Sequence, residues 1–205
     1  MRNLLKLGFS AALLLMAGCI GKVVQPHYYT LETAPKLPGT VSGRQVAATV
    51  AVSQFVAPPY LRQGRIVYRQ SPEEVGFYDY QRWAVDPTEI ITSAMIDSLR
   101  SRELFSMVKR YDGRNAQDYL MTGRLERLEE LDYEGPVRVR AEISAEIVNL
   151  RTGSTEWAGK ATATFNVEKS SVDSVVAQMN HAVQGCVNQI TTSLAAKMDQ
   201  RLAAK

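Results

Sequence analysis

The chain is poor in the residues that do chemistry. Its 205 residues include two cysteines, two histidines and two tryptophans. With so few His and Cys, no cluster at metal-ligand spacing forms around either His27 or His181. No G-x-S-x-G elbow, P-loop or dinucleotide fingerprint occurs, so nucleophilic, nucleotide and cofactor chemistry all lack a starting point. No Arg/Lys run with interleaved aromatics appears, which leaves nucleic-acid binding without support. Low-complexity segments and internal repeats are also absent. The composition points to no enzyme, no metal and no cofactor.

The one long apolar run is Leu7–Ala17. It follows Arg2 and Lys6 and precedes Met16-Ala17-Gly18-Cys19. A charged stretch, a short apolar core and small residues before a cleavage point form a secretory leader. A cysteine directly after the small residues reads as a bacterial lipobox. The leader would be residues 1–18, and Cys19 would carry diacylglycerol and an N-acyl chain, followed by a tether over 19–26. Each buried methylene contributes about 0.8 kcal/mol, and stable anchoring takes more than one chain. The competing reading is an ordinary secretory signal cut elsewhere, or an uncleaved anchor. The run is shorter than the roughly 20 residues a span needs. Ile20 after the cysteine favours the outer membrane, where Asp would favour the inner.

Removing residues 1–18 lowers the formal net charge from +3 to about +1, because Arg2 and Lys6 leave. With Cys19 acylated, Cys186 has no intrachain partner, so packing alone must hold residues 27–205 together as one domain.

The rest of the chain predicts an α+β fold. His27–Leu31 has the bias of a strand, and Ala34–Arg44 reads as a loop. Val46–Val56 alternates as a strand with one buried face, stopped by Pro58-Pro59. Arg65–Arg69 and Val75–Tyr80 flank a turn at Ser71–Glu74 and form a hairpin. Asp86-Pro87-Thr88-Glu89 opens a helix to about Arg102, with Asp86 as cap and Glu89 placed for a capping box. Leu104–Lys109 is a short strand. Three long strands follow: Tyr119–Leu131 with an irregularity near Arg127, Val137–Asn149 with apolar odd and polar even positions, and a third carrying Trp157 to Val167. Ser171–Leu202 is a long amphipathic helix, with Cys186 on its apolar stripe. The expected architecture is an antiparallel or mixed sheet with helices on one face.

Two clusters stand out. Glu126, Glu129, Glu130, Asp132 and Glu134 form an acidic run, read as a solvated strand end and turn. Val56–Trp83 concentrates aromatic and arginine residues, the types enriched at interfaces. Its candidate partner contacts are Tyr60, Arg62, Arg65, Tyr68, Arg69, Tyr78 and Arg82. The alternative places half the aromatics, Trp83 first among them, in the core.

The order of these motifs resembles a known family. A lipobox is followed by Tyr28-Tyr29-Thr30-Leu31, then Phe55-Val56-Ala57-Pro58-Pro59-Tyr60-Leu61, Arg65-Ile66-Val67-Tyr68-Arg69 and Arg82-Trp83-Ala84. This is similar to the ABC-type transport auxiliary lipoproteins of PqiC/YmbA type, although Arg62 stands where the family often has an acidic residue. The resemblance implies an outer-membrane lipoprotein facing the periplasm of a Gram-negative cell. It also implies a docking role toward an MCE-domain protein and an inner-membrane complex that moves lipids or other hydrophobic solutes, with no catalytic residues. A carrier with its own apolar pocket, and a structural lipoprotein serving an outer-membrane barrel, remain as alternatives. The sequence leaves homo-oligomerisation open.

Overall fold

A computed structural model describes residues 24–32, 45–114, 117–133, 135–168 and 171–203. Cys19, most of the 19–26 tether, the whole 34–44 loop and Glu134 lie outside the described residues.

The frame is a ribbon of three long antiparallel strands: β6 (Tyr119–Leu131), β7 (Arg138–Asn149) and β8 (Thr155–Asn166). In β7 the odd positions from Val139 to Ile147 are buried and the even ones from Arg138 to Glu146 are half-buried or exposed. This is the two-residue period expected of a sheet with one packed face. The β6–β7 register slips between Leu125 and Arg127, where one extra residue keeps Leu128 on the packed face.

The other edge of β6 takes two separate units. Near its start it pairs in parallel with β2 (Val46–Val52), which carries β5 (Phe105–Arg110) on its far side. Near its end it pairs in parallel with β3 (Arg65–Arg69), followed by β4 (Gly76–Trp83) and β1 (His27–Tyr29). The sheet is therefore mixed. Between the two units, Val56 bridges to Arg124, and a 3-10 helix spans Pro59–Arg62.

Two helices cover one face. Helix α1 (Pro87–Ser101) starts at Asp86, whose carboxylate accepts from the Thr88 amide and hydroxyl at 2.8 Å. Helix α2 (Val172–Ala203) lies along β7 and β8 and meets α1 through a buried Ser98–Thr191 hydroxyl pair at 3.1 Å. Met179, Val183, Cys186 and Leu194 are fully buried, so the stripe of α2 is core. Burial pushes the Cys186 thiol up to about 12, which makes it inert at neutral pH. Gly123 is required by this packing, because a Cβ there would overlap the ring of Phe55. Trp83 is buried in the same core.

The N-terminal strand is fastened to the C-terminal helix. The Tyr29 hydroxyl donates to Asp173 Oδ1, and the Glu32 amide to Asn180 Oδ1, both at 3.0 Å. The same strand pairs with β4, and the Ala84 amide donates to the Tyr29 carbonyl at 2.7 Å, so the start of the described domain is held by both the sheet and the long helix. Among the described residues no helix is long and apolar enough to cross a membrane.

Candidate docking face

Among the described residues the second face of the ribbon is covered by neither α-helix. Its floor is built by the even positions of β7 and β8 and by the β6 residues paired with them. At its centre is Glu129, a fully buried carboxylate. Arg69 of β3 reaches Glu129 Oε2 at 2.6 Å; Arg140 of β7 and Arg127 of β6 reach Oε1 at 2.5 and 3.3 Å. One carboxylate thus serves three guanidinium groups. Burial pushes its pKa up, but the hydrogen bonds from Arg69 and Arg140 outweigh this and hold it below the usual carboxylate range. The network continues outward: Glu142 lies 4.0 Å from Arg127 and 2.6 Å from Lys160, and Ser144 donates to Glu126 at 2.7 Å.

Beside this network an open groove of about 680 Å³ runs over the middle of the ribbon. Its walls combine the polar Ser53, Gln54, Thr122 and Ser144 and the charged Arg124, Glu146 and Lys160 with apolar surface from Val56, Ala145 and Ala158, so it carries both signs of charge on a largely apolar lining.

The residues singled out in Val56–Trp83 separate into three groups. Tyr60 and Arg69 join the Glu129 cluster from the polar face. The Tyr60 hydroxyl donates to the Glu126 carbonyl at 3.3 Å, and Arg69 also donates to the Pro72 carbonyl at 2.8 Å. Arg69 is buried, which corrects the expectation of a direct partner contact: its donors are spent inside the fold.

Tyr68 and Tyr78 belong to the other side. Their rings meet edge to face with centroids 5.4 Å apart, and the Tyr78 hydroxyl donates to Glu130 at 2.6 Å. Glu130 is buried, and burial raises its pKa despite that bond, with Asp132 adding to the rise. These contacts make Tyr68 and Tyr78 packing residues rather than a free surface.

Arg62, Arg65 and Arg82 stay at or near the surface. Arg65 binds Asp79 at 2.8 Å and stacks over Phe77, with its guanidinium carbon 5.3 Å from the ring centroid. Arg82 sits opposite Tyr28 in the β1–β4 register, and Tyr28 is strongly exposed.

The acidic run also divides. Reading it as solvated fails for Glu129 and Glu130, which are buried on opposite faces. The partners that permit this, Arg69 and Tyr78, lie more than 50 residues away in the chain. One signal was local: the close succession of β6 and β7 as an antiparallel pair sets Glu129 directly opposite Arg140. Among the described residues no group of three or more His, Cys, Asp or Glu is placed to hold a metal ion.

Comparison with known proteins agrees with this architecture. The fold matches the crystal structure of protein XCC0632 from Xanthomonas campestris with a TM-score of 0.76 at 16% identity, covering 86% of this chain and 99% of that one. An uncharacterised protein matches with 0.62 at 14% identity, covering 85% and 99%. The hypothetical protein CT253 from Chlamydia trachomatis matches with 0.54 at 9% identity, covering 75% and 98%. At these identities the likeness shows the fold. No curated relative matches the sequence. The model of the ABC-type transport auxiliary lipoprotein component family matches residues 29–191, and the chain belongs to that family.

Proposed function

We propose that this member of the auxiliary lipoprotein family is a non-catalytic docking component of a transport system that moves lipids or other hydrophobic solutes between membranes. Acyl chains on Cys19 hold it to the periplasmic face of the outer membrane, and its folded domain receives an MCE-domain protein connected to an inner-membrane complex. The family match over residues 29–191 carries this reading. Two physical features support it. The first is the pairing of β1 with β4, with two further hydrogen bonds to α2, which ties the tethered end to the sheet. The second is an uncovered sheet face reachable by a partner. Tethering raises the local concentration of that face near the partner, so a modest contact area suffices.

A carrier role is disfavoured by the packing, because the stripe of α2 is filled against the sheet rather than lining a cavity. Replacing Cys19 by Ala in cells tests the docking role. The expected result is a folded protein released from the membrane that no longer supports envelope integrity. Full function from the released form would overturn it.

A further inference from the structure

We propose that the exposed corner formed by β1 and β4 is a membrane-contact surface, resting on the phospholipid headgroups of the leaflet that holds the anchor. This rests on the acylated Cys19 of the docking reading above and adds how the tethered domain is oriented.

The argument starts from where apolar side chains reach solvent. Eight large apolar or aromatic side chains are exposed among the described residues. Four of them, Val24, Tyr28, Tyr80 and Val85, lie on β1, β4 or the chain directly flanking them. The other four are scattered singly, which is ordinary for a protein surface. Tyr28 and Tyr80 are 63% and 46% exposed. Tyr29, Phe77 and Tyr78 on the same strands pack against the core, and these two do not.

The register gathers them. Strand β1 runs parallel to β4 with His27 opposite Gln81 and Tyr28 opposite Arg82, so Tyr80 stands beside the chain as it enters β1. Arg62 is exposed just before β3, whose Arg65 pairs with Arg82 in register. Asp79, the one acid of β4, is already bound by Arg65. The corner therefore presents two phenol rings with arginine stems between and beside them. A tyrosine ring is apolar while its hydroxyl is wet, which places it at the headgroup level of a bilayer. Arginine lays its stem on apolar surface while its head stays hydrated.

The length of the chain identifies the occupant. Nine residues lead from Cys19 to Tyr28, and fully extended they span at most about 30 Å. An acylated Cys19 thus keeps this corner within reach of the bilayer, and a protein docked here would have to fit into that gap. Within the tether Ile20, Val23 and Val24 are apolar and Lys22 is basic, which suits the same environment. The corner lies three strand steps from β6, roughly 14 Å along the sheet. Contact here leaves the β6–β7–β8 ribbon free for a protein partner. A second point of attachment also replaces free rotation about the tether by one orientation, which raises the effective concentration of the ribbon toward that partner.

The test uses the full protein purified from membranes in mild detergent, with its intact mass first reading the acyl chains on Cys19. It is reconstituted into phosphatidylethanolamine–phosphatidylglycerol vesicles whose headgroups carry a nitroxide quencher. Tyr28→Cys, Tyr80→Cys and Glu32→Cys each receive an environment-sensitive fluorophore, while buried Cys186 stays unlabelled. Glu32 is exposed and only four residues beyond Tyr28, but it is held at α2, so it controls for mere nearness to the tether. The expected result is blue-shifted emission and stronger quenching at Tyr28 and Tyr80 than at Glu32. Adding Tyr28→Ser should lower the quenching at Tyr80 by roughly half, because one of two interfacial rings is lost. Equal quenching at all three sites, stronger quenching at Glu32, or no effect of Tyr28→Ser overturns the proposal. If these fail with acyl chains present, the membrane contact is lost and the anchor reading stands. Absence of acyl chains from Cys19 overturns the anchor reading and this proposal with it.

Discussion

Glu129 and Glu130 are neighbours in the chain and live in different environments. Glu129 points to the helix-free face, where three arginines outweigh the cost of burial and keep it ionised. Glu130 points to the packed face, where Tyr78 is its hydrogen-bond partner and burial favours the protonated acid. A strand turns successive side chains to opposite faces, so one step along β6 crosses from a charged network to an apolar core. The lesson extends to the whole ribbon. One face stabilises the domain through apolar packing, and the other holds a network of paired charges that reaches solvent. Apolar packing on the first face carries most of the stability, and under the docking proposal the second, uncovered face is the one open to a partner.

The largest expected effect lies on the packed face. Trp83→Ala should destabilise the domain by about 3–5 kcal/mol, as for other buried large aromatics. Urea unfolding followed by circular dichroism measures it, and a loss below about 1 kcal/mol would remove Trp83 from the core. Close behind comes the one place where the polar face is structural. Glu129→Ala leaves buried Arg69 without its carboxylate and should cost roughly 3 kcal/mol or more. A neutral result would mean that the arginines find other partners and that the cluster is not held by Glu129.

The pH dependence should separate the two glutamates. Glu129 has a depressed pKa in the folded state, so its contribution is present above the unfolded pKa and lost as pH falls through the folded one. Glu130 has a raised pKa, so its ionisation costs stability as pH rises from the unfolded pKa through the folded one. Glu129→Gln should therefore flatten the acid side of the stability profile. Glu130→Gln should leave the acid limb in place and remove a loss of stability on approaching neutrality, with Tyr78 still able to donate to the amide oxygen. Thermal melts across pH 3–8 read both. Identical profiles for the two variants would dissolve the distinction between the faces. The smallest effect belongs to Arg127→Ala, whose exposed ion pairs should contribute at most about 1 kcal/mol to stability. A large loss would make Arg127 structural and weaken its assignment to recognition.

Much of this division is legible in the sequence. The alternation in β7 shows one wet and one dry face, the slip near Arg127 marks the bulge, and Asp86-Pro87 marks the start of α1. What local pattern does not carry is pairing between distant strands. That β2 and β3 both join β6 in parallel follows from three-dimensional packing, and it is this pairing that brings Arg69 to Glu129. For the same reason an acidic run looks solvated in one dimension while two of its members are buried. Tyr68 and Tyr78 look like surface aromatics until the β3–β4 hairpin places them against each other.

The most direct test isolates the protein from native membranes, as wild type and with Thr162→Glu and Thr164→Glu, and identifies what accompanies each by mass spectrometry. The account predicts an MCE-domain protein with the wild type, depleted from the variant while the variant stays folded by circular dichroism. Equal recovery of that protein with both forms would contradict the assignment of recognition to the helix-free face.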